Sequence, residues 1–243
     1  VHFITVIAAH QQMHAATSAC DVDTPALHIH VCFTRFSPIL YFIPLSCADA
    51  QGEFTHNRRM CFMAFVFWIV YAIYLLIQAF IAYRYISTDN RLYFKSLLVS
   101  NIIFAVYVAA DEVFGIGVPY LIRCLVIVAM FLHTFFGYFK DLYTRSQIFD
   151  RYLHVYGCFA YALFVYSLFA RIFRASISPA PFAALMVAFT GMATGGVFEI
   201  IEYFIDKGMP VKTQRSLKDT DVDLICDAIG SAAAGIAAWI FML

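Results

Sequence analysis

Charged side chains are scarce in this sequence: Asp, Glu, Lys and Arg make up 13% of its 243 residues. A soluble domain carries about 25% charged residues and about 45–50% apolar ones. Here hydrophobic residues make up 63%, and the mean hydropathy is +0.78. A water-soluble core has no room for so much apolar surface. The composition therefore excludes an ordinary soluble domain and indicates an integral membrane protein.

A surplus of positive charge is also missing, because 16 basic and 16 acidic side chains cancel. This balance excludes the polybasic surface with which many proteins bind nucleic acid. The catalytic signatures H-E-x-x-H and G-x-S-x-G are absent as well. No known motif therefore assigns a hydrolytic reaction to this chain.

Paired cysteines are absent too. The seven Cys residues are odd in number and include no C-x-x-C pair, which argues against a disulfide framework or a zinc site. Cys124, Cys158 and Cys226 lie within apolar runs. We interpret these three as small buried hydrophobic residues.

The first 59 residues contain no apolar run of the roughly 18 residues that span a bilayer. They hold six of the eight His residues, without regular ligand spacing, and they precede Met60. We interpret residues 1–59 as an N-terminal extension that is either upstream of the native start at Met60 or disordered. Another interpretation is a signal segment, since residues 36–50 combine a short apolar stretch with Ala48-Asp49-Ala50.

From residue 60 onward, long hydrophobic runs alternate with short polar linkers. Each run is long enough for a transmembrane helix at about 1.5 Å per residue. The sequence therefore predicts an all-α fold, in which residues 60–243 form a polytopic membrane bundle of six helices. The predicted spans are 61–83, 96–114, 118–139, 152–173, 181–205 and 222–243.

Basic residues are distributed unevenly between the two sides of this bundle. Loops one, three and five carry ten Lys and Arg residues, and the other side carries four. Loops rich in Lys and Arg stay in the cytoplasm. We therefore predict that loops one, three and five are cytoplasmic and that both termini are outside.

Ionisable residues gather at the predicted cytoplasmic ends of three spans. Asp150 and His154, near the start of span four, are four residues apart and so share a helical face. Glu199 and Glu202, near the end of span five, are three residues apart. Such groups cost about 2.5–3.5 kcal/mol each within a span, so we expect them to face the bundle interior. A third group begins span six with i, i+4, i+8 spacing: Asp219, Asp223 and Asp227.

Small residues predict where these helices approach one another. Gly191 and Gly195 lie in span five, and Gly230 lies in span six. Because such residues let helix backbones approach closely, we expect the face of Glu199 to meet the face of Asp223. Carboxylates that meet in one place repel unless a cation, protons or basic side chains lie among them.

The segments "FDRYLHVYG", "FEIIEYF" and "QRSLKDTDVDLICDAIGSAAAG" resemble the YjdF-like family of bacterial inner-membrane proteins and the wider VanZ-like pattern. The resemblance extends over residues 61–243 and is most specific over 150–235. It implies six spans and a bacterial inner-membrane location, and it supplies no activity. Asp227 stands where the family pattern often has Asn. The matching positions are Asp150, Arg151, His154, Glu199, Glu202, Gln214, Asp219, Thr220, Asp223, Leu224, Ile225 and Gly230.

The polar cluster supports three functions, which the sequence leaves open. The first is a divalent-cation site, because carboxylate oxygens and imidazole are ligands for Mg²⁺, Ca²⁺, Mn²⁺ or Zn²⁺. Such a cation binds the phosphate of a lipid headgroup or activates water against it, and basic residues of loop five supply further phosphate contacts. The proposed metal ligands are Asp150, His154, Glu199, Asp219 and Asp223, and the proposed phosphate-binding residues are Lys212, Arg215 and Lys218.

The second function is proton- or cation-coupled transport, since chains of Asp, Glu and His within spans are typical of transporters. Asn101, Asp111, Glu112 and His133 would extend such a path towards the other side. The third is a non-catalytic structural or partner-binding role. In that case the carboxylates fix helix ends, with Asp219 as an N-cap.

Overall fold

The computed structural model describes residues 51–207 and 214–241, with side chains described from Cys61 onward. Within these residues the chain is all-helical and contains no strand. Six helical stretches are long and apolar enough to cross a membrane, which confirms the predicted fold class and number of spans. The prediction for residues 1–59 falls mainly outside the described part and stays a prediction. The six spans are Cys61–Ser87, Arg91–Phe114, Tyr120–Phe139, Gln147–Ile172, Ala180–Asp206 and Leu217–Phe241.

The helices are numbered α1 to α7 in chain order, and a π-helical segment, π1, continues α3 without a break. A one-turn helix, α4, connects π1 to the fourth span. The bounds are α1 Gln51–Ser87, α2 Arg91–Phe114, α3 Tyr120–Phe131, π1 Leu132–Phe139, α4 Leu142–Arg145, α5 Gln147–Ile172, α6 Ala180–Asp206 and α7 Leu217–Phe241.

Helices α2, α5 and α7 each begin five residues before the apolar runs that predicted them. Hydropathy marks only the part of a helix that lies in lipid, whereas helical hydrogen bonding begins at the cap. Ser146 Oγ accepts the amide N–H of Phe149 at 3.2 Å, and Ser216 Oγ accepts that of Asp219 at 3.2 Å. Ser216 therefore caps α7, and the interpretation of Asp219 as the N-cap is wrong.

Helices α5, α6 and α7 pack tightly against one another, while α1 packs against α2 and α3. A Cβ added to Gly195 would lie 2.6 Å from Cγ of Asp227, and one added to Gly230 would lie 2.9 Å from the carbonyl carbon of Val155. Both distances are too short for a side chain. Helix α7 therefore approaches α6 and α5 so closely that only glycine fits, as the small residues predicted.

A buried ion pair joins α2 to α3 at the opposite end of the bundle from the start of α5. Arg123 Nη2 contacts Oδ2 of Asp111, and Arg123 Nη1 lies 3.4 Å from Oε1 of Glu112. Oδ1 of Asp111 also accepts the amide N–H of Gly117 at 3.0 Å. Asp111 and Glu112 were predicted to extend a transport path, and their pairing with Arg123 was not predicted. Asp111 and Glu112 lie at the end of α2 and Arg123 lies in the first turn of α3, and this closeness across one short loop was the sequence signal for the ion pair.

Candidate metal centre

The starts of α5 and α7 and the end of α6 meet at one end of the bundle, which we call the polar end. Five of the carboxylates predicted to cluster there are each exposed by 7% or less. Asp221, off the predicted row of α7, is exposed. The structure therefore places the predicted row on the buried face of α7. The five buried carboxylates are Asp150, Glu199, Asp219, Asp223 and Asp227.

His154 lies between carboxylates of three helices. Its Nδ1 is 2.9 Å from Oδ1 of Asp227, a hydrogen-bond distance. Its Nε2 is 3.7 Å from Oε1 of Glu199 and 3.9 Å from Oδ1 of Asp150. A carboxylate that holds one ring nitrogen of a histidine fixes the tautomer and orients the other nitrogen as a ligand. Asp227 therefore directs Nε2 of His154 towards the remaining carboxylates.

The side chains of the polar end form two groups with the spacing of metal ligands. Within each group, one ligand atom from every residue lies within 4.8 Å of the others. Bonds from divalent cations to protein ligands measure about 2.0–2.6 Å, so two ligands of one ion are at most about 4–5 Å apart. Together the groups contain all five predicted metal ligands and, in addition, Asp227. The first group is Asp150, Asp219 and Asp223, and the second is His154, Glu199 and Asp227.

Three carboxylate oxygens of these groups are buried and accept no hydrogen bond from the described residues, and two of them have no glycine backbone against them. These two are Oε1 of Glu199 and Oδ1 of Asp223. Burying a polar atom without a partner is costly, and a cation or a shared proton removes that cost. Oδ2 of Asp227 also accepts no hydrogen bond, but it lies against the backbone of Gly195. Glu199 and Asp223 are therefore the stronger indications of a cation.

Negative charge exceeds positive charge at the polar end. Glu202 brings the number of carboxylates to six. Among the described residues, the basic groups within 4.0 Å of them are His154 and Arg215. With His154 protonated and the six predicted carboxylates all ionised, six against two would leave four negative charges. Uncompensated charge is expensive inside a membrane protein, so this end of the bundle favours a bound cation.

Gln214, which precedes α7, binds one carboxylate oxygen of Glu199, and the other oxygen faces His154. Gln214 Nε2 donates to Oε2 of Glu199 at 2.8 Å, and the amide N–H of Gln214 donates to Oδ2 of Asp206 at 2.9 Å. The guanidinium of Arg215 contacts the carbonyl oxygen of Tyr143. Gln214, which belongs to neither group, therefore orients Glu199.

The predicted phosphate-binding residues differ in their placement. Arg215 reaches the polar end, Lys218 is exposed in the first turn of α7, and Lys212 lies outside the described residues. Glu202 belongs to neither group of metal-ligand spacing; it lines a cavity together with His154. Glu202 therefore lies outside the two groups, and it shares the lining of this cavity with Asp227.

The polar end also contains two residues that were not predicted to belong to it, Asp206 and Tyr143. Asp206 is buried and follows Glu199 by seven residues, so helical periodicity places both on one face. Tyr143 is also buried, and its hydroxyl lies 2.5 Å from Nδ1 of His133. Burial raises the pKa of Tyr143 well above its ordinary value of 10.0. Spacing was a signal for Asp206, whereas nothing distinguished Tyr143 among 15 Tyr residues.

The residues that a transport path would use have local partners. Asp111 and Glu112 contact Arg123. Asn101 donates to a backbone carbonyl of its own helix at 2.8 Å, and His133 contacts a tyrosine hydroxyl. These contacts are compatible with a structural role for the four residues, and the transport path stays a prediction.

Residues 63–243 match the family described as "Predicted membrane protein (DUF2238)". The chain belongs to this family. The matched range includes the polar end, the five spans from α2 to α7 and all but the first two residues of the first span. The matched region is therefore the membrane bundle, and the residues of the polar end lie within it.

A relative from Thermotoga maritima, described as an uncharacterized protein, is 33% identical over 114 residues. The aligned part covers 46% of this chain and 59% of the relative, so the chain spans little more than half of that protein's length. No solved structure matches the chain.

Proposed function

We propose that this protein binds a divalent cation at the polar end and, through the cation, the phosphate group of a membrane lipid. The observation that carries the proposal is the relation between His154 and Glu199. Oε1 of Glu199 is buried without a hydrogen-bond partner and lies 3.7 Å from Nε2 of His154. Asp227 holds the other ring nitrogen. Oε1 of Glu199 and Nε2 of His154 are thus two potential metal ligands that face each other. The other carboxylate oxygen of Glu199 and the other ring nitrogen of His154 already have hydrogen-bond partners.

The donor set determines which cations fit. Carboxylate oxygens favour Mg²⁺, Mn²⁺ and Ca²⁺, and an imidazole nitrogen among them favours Mn²⁺ or Zn²⁺. In this arrangement Asp227 orients His154 and does not itself bind the metal. An Asn at this position, as in the YjdF-like and VanZ-like pattern, would supply the same acceptor oxygen to the histidine. The proposed ligands are Asp150, His154, Glu199, Asp219 and Asp223.

A phosphate group is the partner that this chemistry suits at a membrane surface. A bound divalent cation neutralises phosphate charge and activates water for attack on phosphorus. Arg215 at the polar end and Lys218 nearby add the charge-assisted hydrogen bonds that phosphates accept, and Lys212 belongs to the same loop. The reaction class that follows is hydrolysis or transfer of a lipid headgroup at the cytoplasmic face of a bacterial inner membrane.

Metal content tests this proposal. The full chain would be purified in detergent, equilibrated with Mn²⁺, Mg²⁺ or Zn²⁺, and analysed by elemental mass spectrometry. We expect at least one ion per chain in the parent and its loss in Glu199→Gln and Asp223→Asn. The matched control is Asp221→Asn, which removes an exposed carboxylate from the same helix and should retain the metal.

The other two functions give different results in the same protein. A non-catalytic structural role predicts no metal in the parent and equal thermal stability with and without divalent ions, which would contradict the proposal. A coupled transporter predicts movement of protons or cations across proteoliposomes that Glu199→Gln abolishes. Metal binding without such movement supports the lipid-phosphate function.

The proposed sidedness requires a separate experiment. A cysteine introduced at Lys218 would be labelled with a membrane-impermeant maleimide in intact cells and in inverted vesicles. We expect additional labelling over the parent in inverted vesicles alone. Ala175→Cys, between α5 and α6, is the control with the opposite expectation. Labelling of Lys218→Cys in intact cells would reverse the proposed orientation.

A further inference from the structure

A cavity of about 360 Å³ lies between α2, α3, α5 and α6. Cavities that bind small ligands measure about 300–1,000 Å³ and are mostly apolar, with a few polar groups that fix orientation. This cavity has both properties. Its apolar and aromatic wall includes Phe104, Tyr107, Val126, Met130, Tyr161 and Phe164.

The cavity extends from the carboxylate cluster into the membrane span. His154, Glu202 and Asp227 line it at the polar end. Phe164 also lines it and follows His154 by ten residues, which is about 15 Å along α5. An occupant that satisfies both regions has a polar group beside the proposed cation and an apolar body beyond it.

Two wall residues place the mouth of the cavity on the lipid side of the bundle. Ile103 of α2 is 66% exposed and Phe198 of α6 is 36% exposed, although both line the cavity. Helix α2 packs chiefly against α1, so the gap between α2 and α6 faces the bilayer. A hydrocarbon chain is able to enter there sideways without crossing water.

The size of the cavity fits one hydrocarbon chain. At about 360 Å³ it lies near the lower end of the range of cavities that bind small ligands, about 300–1,000 Å³. That volume suits one slender hydrocarbon chain better than the two chains of a diacyl lipid. The occupant is therefore a single-chain amphiphile.

A second cavity approaches the cluster from the loop side. It measures about 520 Å³ and is lined by Asp150, Arg84 and Arg215. Tyr143 lines both cavities, so the two cavities adjoin at this residue. Arg84 and Arg215 offer phosphate-binding groups in the second cavity, which Asp150 of the cluster also lines.

We infer that the 360 Å³ cavity holds the chain of a single-chain lipid phosphate whose phosphate binds the cation at the polar end. This inference rests on the proposed cation site and adds the class of lipid. The chain lies among the aromatic residues of α2 and α5, and the phosphate lies beside His154 and Tyr143. The chain is either a linear alkyl or a branched prenyl group, which share this chemistry.

A photoreactive lipid tests the inference. The probe is dodecyl phosphate with a diazirine at the end of its chain, added to the full chain in phosphatidylcholine nanodiscs with Mn²⁺. We expect cross-links on the cavity wall, for example at Phe104 and Phe164. Excess unlabelled dodecyl phosphate or farnesyl phosphate would compete, and the stronger competitor identifies the chain as alkyl or prenyl. Inorganic phosphate at the same concentration should leave the chain cross-links in place.

Two glycines provide a matched pair of variants. Gly157 lines the cavity, and a Cβ added there meets no atom within 4 Å, so we expect the side chain of Gly157→Leu to occupy part of the cavity. A Cβ added at Gly196 also meets no atom within 4 Å, and Gly196 lies outside the cavity wall. We expect Gly157→Leu to reduce cross-linking about tenfold, because excluding even two methylene groups weakens binding that much. Gly196→Leu should match the parent.

The result separates this inference from the function on which it rests. Cross-links scattered over lipid-facing residues, or equal yields in the two glycine variants, would overturn the chain cavity. If the metal content of the parent is then unchanged, the cation site stands alone. A parent without bound metal overturns the proposed function itself.

Discussion

The carboxylate of Asp227 on α7 holds the imidazole of His154 on α5, with Oδ1 and Nδ1 2.9 Å apart. Oδ1 of Asp227 also accepts a hydrogen bond from the thiol of Cys158, with a distance of 3.0 Å from Sγ to Oδ1. Both contacts join the first half of α5 to α7. The orientation of the proposed metal ligand therefore depends on the helix interface itself.

The first prediction concerns this orientation. Asp227→Asn retains an acceptor oxygen for His154, so we expect its Mn²⁺ affinity to stay within a few-fold of the parent. Asp227→Ala removes the acceptor and should weaken affinity about 10- to 100-fold, as loss of such outer partners does. Isothermal titration of the purified full chain measures both. Equal affinities in the Ala and Asn variants would show that Asp227 does not orient the ligand.

The second prediction concerns the cost of the cluster when no metal is bound. Asp223→Asn removes one of the excess negative charges, so in EDTA we expect it to increase the free energy of unfolding by about 0.5–2 kcal/mol. With Mn²⁺ the parent should gain stability and the variant should not. Melting temperatures in EDTA and in Mn²⁺ give the comparison, with Asp221→Asn as the control. A variant less stable than the parent in EDTA would indicate a structural role for Asp223.

The third prediction concerns the contact between α6 and α7. A Cβ on Gly195 would lie 2.6 Å from Cγ of Asp227, so Gly195→Ala should destabilise the protein by about 1–3 kcal/mol, as overpacking does. Gly196→Ala is its neighbour with open space and should be neutral or slightly stabilising. Thermal unfolding in one detergent compares them. Equal melting temperatures would mean that the helices separate more easily than the geometry indicates.

The fourth prediction concerns the ion pair at the other end of the bundle. Arg123→Met leaves Asp111 buried without its partner, which should cost about 3–5 kcal/mol, while metal content per folded chain stays unchanged. Arg91→Met breaks the exposed pair with Asp89 and should change stability by less than about 1 kcal/mol. Unfolding measurements and elemental analysis on the same samples check both parts. Loss of metal in Arg123→Met would connect the two ends of the bundle functionally.

The fifth prediction concerns pH. Because burial raises the pKa of Tyr143 above 10.0, the folded state keeps its proton above pH 10 while the unfolded state releases it. The free energy of unfolding should therefore fall as the pH rises above about 10, by up to about 1.4 kcal/mol per unit for this residue. Tyr143→Phe should make this fall shallower, and Tyr152→Phe, at an exposed tyrosine, is the control. Identical slopes in parent and Tyr143→Phe would contradict the burial of the phenol.

The sequence by itself determined that this is a membrane bundle of six helices and which carboxylates face inward. Both follow from local rules, since apolar length sets a span and 3.6-residue periodicity places Asp219, Asp223 and Asp227 on one face. The glycines of α6 and α7 also marked the close interface in advance. Such features require no knowledge of how distant helices are arranged.

The tertiary structure alone decided which ring nitrogen of His154 faces Glu199 and Asp150. It also assigned Asp111 to Arg123, placed Tyr143 between two cavities, and directed Glu202 towards one of them. These relations join residues from different helices whose relative rotation depends on the packing of all of them, and no local pattern records that rotation. The sequence identified the charged groups, and only their three-dimensional arrangement distinguished potential ligands from residues that stabilise the fold.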